Sequence, residues 1–132
     1  MEYNKHGVYK VYTKGHILFV EASGSWNQEV VEGFSNSVKD CVQSFQGRAW
    51  GSMFDVRLWE LCTPEMWAGT NELTEWMMTK NYAFEAMLCS TKVLSMIIEH
   101  YRVQTSKLKR EAFSDYDDAL QWCLKQEQAL LK

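Results

Sequence analysis

The residues of this chain that are placed to do chemistry are few. Cys62 stands just ahead of Thr63-Pro64-Glu65, which reads as a helix start. The positive end of a helix dipole lowers a thiol pKa at such a place. No second cysteine lies near it and no base is evident, so a structural loop cysteine is the plainer reading. Ser23-Gly24-Ser25 lies between a strand and a helix start, where backbone amides could hold an anion; with a single glycine it reads as turn and cap. His6, His16 and His100 fall in a tail, a turn and a helix end, and none pairs with a further ligand at metal spacing. Lys107, Lys109 and Arg110, with Arg102 nearby, form a basic cluster. Asp115, Asp117 and Asp118 follow it, and no aromatic is interleaved as nucleic-acid stacking would want. The cluster reads as a solvated loop, and the acids suit the first turn of a helix. The glycine-rich phosphate loops, the GxSxG elbow and HExxH are absent. The expectation is a non-enzyme with no metal and no cofactor.

Composition agrees with that restraint. The 132 residues suit one domain, spanning 1–132. Such a chain buries enough surface to stand without a metal or disulfide staple. The net charge of −3 offers no attraction for nucleic acid or an acidic membrane. No apolar stretch is long enough for a membrane span, and Met1 to His6 lacks the apolar core of a signal peptide. A cytoplasmic location is therefore expected. Cys41, Cys62, Cys89 and Cys123 are separated by 21, 27 and 34 residues, which matches no zinc spacing. Cys41, Cys89 and Cys123 read as small core hydrophobes. Six tryptophans are many for this length, which means either a rich core or a partly exposed aromatic patch.

The elements that must position these residues follow from periodicity. Tyr9 to Thr13 and Ile17 to Ala22 are β-rich runs around Lys14-Gly15-His16, a hairpin pattern. Ser25, with Gln28 three residues on, has the form of a capping box. Val30, Phe34, Val38, Cys41 or Val42, and Phe45 then make one helical face, with Gly47 as its stop. Trp50 to Val56 is less alternating, as a strand covered on both faces would be. Thr63 is the expected N-cap of the next helix and Pro64 its first residue. Lys80-Asn81 ends that helix, and Tyr82 to Cys89 is another strand. Ser90 or Thr91 caps a third helix through Tyr101. A short strand lies within Leu108 to Phe113, and Ser114 to Asp117 opens the last helix. The order is β-β-α-β-α-β-α-β-α, an α/β fold with a mainly parallel sheet behind an antiparallel N-terminal hairpin. If each strand is added beside the last, most helices fall on one face. Strand order then never reverses, and no switch-point crevice forms.

This order, together with Phe54-Asp55-Val56-Arg57 at the end of the central strand and Ala119-Leu120-Gln121-Trp122 in the last helix, resembles the SpoIIAA-like group of bacterial domains. That group is related to the STAS (sulphate transporter and anti-sigma-factor antagonist) fold. The resemblance runs from about Tyr9 to Leu124. It implies a βα superhelix and a regulatory protein-interaction module. In the antagonists a serine at the start of the helix after the central strand is phosphorylated. The matching place here is Thr63-Pro64, where Pro64 cannot accept phosphate and only Thr63 carries a hydroxyl. The expected partner-binding residues are Asp55, Arg57, Trp59, Thr63 and Trp67, with Thr63 as the one possible phosphoacceptor. A protein partner, a homodimer and, as the alternative function, a small apolar or lipid ligand remain open.

Overall fold

The hairpin closes where the sequence places its turn. β1 (Val8–Lys14) and β2 (Ile17–Gly24) pair antiparallel, and Gly15 between them takes a φ of +61° that L side chains rarely adopt. In the computed structural model residues 8–60, 63–102, 105 and 107–132 are described. The chain then continues through α1 (Gln28–Gln43), β3 (Trp50–Trp59), α2 (Pro64–Met78), β4 (Tyr82–Leu88), α3 (Lys92–Tyr101), β5 (Lys109–Phe113) and α4 (Tyr116–Leu130). The five strands form one sheet in the order β1-β2-β3-β4-β5, and every pair after the hairpin is parallel. The strand order does not reverse, which is the condition under which most helices fall on one face.

That one-way order sets the layers. Leu18, Val20 and Ala22 of β2 and Trp50 and Val56 of β3 face Val30, Phe34 and Val38 of α1, Met66, Leu73 and Met77 of α2, and Ile98 of α3. On the other face Ile17, Phe19, Met53, Phe84, Ala86 and Leu88 meet Ala119 and Cys123 of α4. β4 throughout, except at Glu85, and β2 from Ile17 to Val20 are thus apolar because both of their faces are covered there. α3 differs from the other helices: Ile98 is its single buried residue, while Val93 and Met96 are 65% and 64% exposed.

The helix starts differ from expectation in their details. Asn27, not Ser25, caps α1, its side chain accepting from the Val30 amide at 3.0 Å. The reason is Trp26, which is 2% exposed and donates its indole N–H to the Ser23 carbonyl, so the helix can begin only after that ring has turned inward. Asp115, rather than Ser114, caps α4 by accepting from Asp118 N at 3.0 Å. α1 ends at Gln43 with Ser44 as its C-cap, and Gly47, at φ +79°, serves the tight turns beyond. Thr91 caps α3 by accepting from the Leu94 amide. Asn81, at φ +65°, turns the chain after α2 and donates to the Gly47 carbonyl at 2.7 Å.

Candidate functional site

The end of β3 holds Asp55 and Arg57 as a local pair. Asp55 accepts from the Arg57 amide at 3.1 Å, from its Nε at 3.0 Å and from its Nη2 at 2.8 Å. The hydrogen bond to Asp55 raises the guanidinium pKa, and the group lies 5.9 Å from the Tyr116 ring centroid. Asp55 is therefore committed within the chain, while Arg57 and its neighbour Leu58, which is 74% exposed, stand at the surface. At the start of α2 Pro64 occupies the first helical turn, as expected. Thr63 has the extended backbone of an N-cap, but its hydroxyl makes no capping bond and the residue is exposed. Cys62, proposed above as a reactive or structural thiol, lies outside the described residues, as does His6.

The tryptophans between these ends form a chain of ring contacts. Trp59 stands edge-on to Trp26 at 5.3 Å and to Trp67 at 5.5 Å, and Trp67 stacks on Tyr101 of α3 at 5.4 Å with ring planes 8° apart. Trp67 is only 8% exposed, because Trp59 and Tyr101 cover it. Little of Trp67, one of the residues expected to contact a partner, is thus at the surface. Trp59 is half-buried, and its indole N–H is enclosed without a hydrogen-bond partner. A groove of about 200 Å³ runs from Trp59 and Glu60 to Leu94, Ile97 and Tyr101. Behind the tryptophans, a pocket of about 50 Å³ reaches down to Glu85 and Arg102.

Glu85 is the residue that sequence reasoning missed. It lies in the middle of β4, opposite Ser52 of β3 and opposite Arg110 of β5, so one row of three polar residues crosses three strands. Glu85 is 3% exposed. Its Oε2 accepts from the Tyr82 hydroxyl at 2.7 Å, and its Oε1 is shared by Arg102 and by Arg110, whose Nε lies 3.5 Å away. The Tyr82 hydroxyl also contacts the Ser52 hydroxyl. Burial, followed by the Glu85 charge, pushes the Tyr82 phenol well above its ordinary value. The reading of Arg102 and Arg110 as part of a solvated loop is overturned. Their side chains are 9% and 17% exposed, drawn inward by a carboxylate that needs compensation. Only Lys107 and Lys109 of that cluster are exposed. The available signal was a single acid inside an otherwise apolar strand, Tyr82-Ala83-Phe84-Glu85-Ala86-Met87-Leu88.

The remaining candidates are scattered. His16 stacks near Phe45, His100 is exposed at the end of α3, Cys41 is half-buried, and Cys89 and Cys123 are buried. Burial raises all three of these thiols, Cys123 to about 12, which keeps them protonated at neutral pH. Among the described residues no group of three His, Cys, Asp or Glu could hold a metal ion, and no helix is long and apolar enough to cross a membrane.

No protein-family model matches the chain, and no curated protein matches it in sequence. Solved structures share its architecture. An uncharacterized protein of the DUF3478 family with a SpoIIAA-like fold, from Shewanella loihica, superposes with a TM-score of 0.71 at 16% identity, covering 93% of this chain and 98% of that one. The unphosphorylated anti-sigma factor antagonist SpoIIAA gives 0.60 at 8% identity, over 89% and 98% of the two chains. An anti-sigma factor antagonist from Mycobacterium paratuberculosis gives 0.56 at 11% identity, over 89% and 94%. The chain therefore has the SpoIIAA-like, STAS-type fold, as its element order and its strand-end residues suggested.

Proposed function

We propose that the protein is a non-enzymatic regulatory module that binds a protein partner through the end of β3, the start of α2 and the outer face of α3. One observation carries this reading. Val93 and Met96 of α3 are 65% and 64% exposed, and Leu94, Ile97 and Tyr101 of the same helix line the groove beside Trp59. Scattered exposed apolar residues need no explanation, but a contiguous apolar surface on a thinly packed helix is where partners bind. Glu60 lines this groove and Thr63 is exposed at the start of α2, as polar residues at the rim of an interface are. Two proteins that share the fold are described as anti-sigma factor antagonists, which supports a regulatory role.

The uncommitted hydroxyl of Thr63 fits the role of phosphoacceptor at this margin. A phosphate there would add roughly two negative charges beside the helix start and so change partner affinity. No observation favours an apolar or lipid ligand as the main function. The pocket of about 50 Å³ behind the tryptophans is well below the ~150 Å³ of an apolar cavity that takes benzene.

Met96→Asp tests the surface without touching the core. In quantitative capture from the source cells, the variant is expected to lose at least about tenfold of the specific partner signal, as hot-spot residues do. Capture equal to wild type would sink the site assignment. Sedimentation of both proteins separates a second copy of the chain from a different partner. If the partner is a second copy, wild type runs as a dimer and Met96→Asp as a monomer.

A further inference from the structure

The outer face of α3 carries its charges in a pattern that a second copy of the same helix would match. At about 100° per residue, Val93, Met96 and His100 form one exposed stripe, turned away from the buried Ile98. Leu94 and Tyr101 turn the other way, to the groove and to Trp67. Lys92 and Glu99 flank the stripe on one side, about 10 Å apart along the axis at ~1.5 Å per residue. Both are exposed, and among the described residues neither has a salt-bridge partner. They stand at equivalent heptad positions beside the apolar seam, the places whose charges set the orientation of paired helices. This flank is therefore positive at the start of α3 and negative near its end.

We propose that the protein forms a homodimer in which α3 packs antiparallel against α3 of a second copy about a two-fold axis. The proposal rests on the reading of this face as the binding surface, and it names the occupant. In antiparallel helices equal flanks meet in reverse, so Lys92 faces Glu99 of the partner subunit, and the pair occurs twice. Val93 and Met96 of the two copies close over each other between these pairs. A parallel pairing would set like charges together at both ends. A two-fold interface must be self-complementary, and one base and one acid on the same flank meet that condition by themselves. The charges fix direction and register, while burial of Val93 and Met96 supplies the affinity. α3 is only about 15 Å long, so this helix pair buries less than the ~1,200 Å² of stable complexes. The dimer is accordingly weak and reversible.

Sedimentation of the full chain at low salt, up to about 1 mM, tests the dimer where even weak interfaces associate. Wild type is expected to associate reversibly with concentration. Lys92→Glu and Glu99→Lys each put like charges at both contacts, and each is expected to weaken association at least about fivefold. Neither harms α3 itself, since an acid at a helix start and a base near its end both suit the helix dipole. An equal mixture of the two variants, and the double variant Lys92→Glu/Glu99→Lys, should regain wild-type association. Lys125→Glu makes the same charge change as Lys92→Glu at an exposed position of α4, across the sheet, and should have no effect. A wild type that stays monomeric, single variants that associate as wild type does, or a mixture that regains nothing would overturn the dimer. The surface is judged separately by the capture experiment with Met96→Asp. A monomeric wild type whose capture is lost in that variant removes the dimer and keeps the surface.

Discussion

At the scale of single residues, the tightest constraint is at Gly51. A Cβ there would lie 2.3 Å from three ring atoms of Phe84, a residue of the neighbouring strand that is 1% exposed. The Phe84 ring is itself wedged edge-on against Trp122 of α4 at 5.8 Å, so it has little room to retreat. Gly51→Ala is therefore expected to destabilise the fold by about 1–3 kcal/mol, the usual cost of overpacking, and to lower the urea midpoint with unchanged slope. A midpoint equal to wild type would show that the ring can move aside. This constraint was not legible in the sequence, because it depends on which residue of β4 lies beside Gly51. The caps show the same limit. Ser25 and Asn27 are both good capping residues, and the choice of Asn27 was made by Trp26 turning inward. Glu85 was hidden differently: Arg102 and Arg110 were read with their sequence neighbours, whereas strand pairing brings Arg110 to Glu85, 25 residues away.

At the scale of elements, the order of strands and helices was legible because periodicity and turn residues act locally. β5 fell within the expected Leu108 to Phe113, and Pro64 marked the start of α2. The unequal packing of the helices was not legible, since Val93, Leu94, Ile97, Ile98 and Tyr101 share one helical spacing. In the fold only Ile98 of these is buried, whereas α1 buries Val30, Val31, Phe34, Val38 and Val42. A helix held by so little apolar contact opens locally at low free energy, while a core helix exchanges near the global limit. Amide hydrogen exchange is accordingly expected to show α3 protected at least about tenfold less than α1. Equal protection of the two helices would mean that α3 is held by more than the fold supplies, and it would weaken the case for α3 as a face kept available for a partner.

At the scale of the whole molecule, the two faces of the sheet each bury a group that must keep its proton. Cys123 of α4 is fully buried against β3 and β4, its thiol pushed up to about 12 by burial and then by Glu127. Tyr82, on the opposite face, is raised well above 10. In the unfolded chain these groups lose their protons near pH 9 and 10. Above those values the unfolded state binds fewer protons than the native one, so the free energy of unfolding falls as pH rises. The stability is fully present below about pH 9. For Cys123 it is lost progressively towards about 12, at roughly 1.4 kcal/mol per pH unit. Urea midpoints are thus expected to decline from pH 9 to pH 11, and to decline less steeply in Cys123→Ala, where one of the two groups is gone. Parallel slopes in the two proteins would show that the thiol titrates alike in the folded and unfolded states. That outcome would contradict its placement between α4 and the sheet, and with it the packing that leaves α3 as the loosely held helix on the other face.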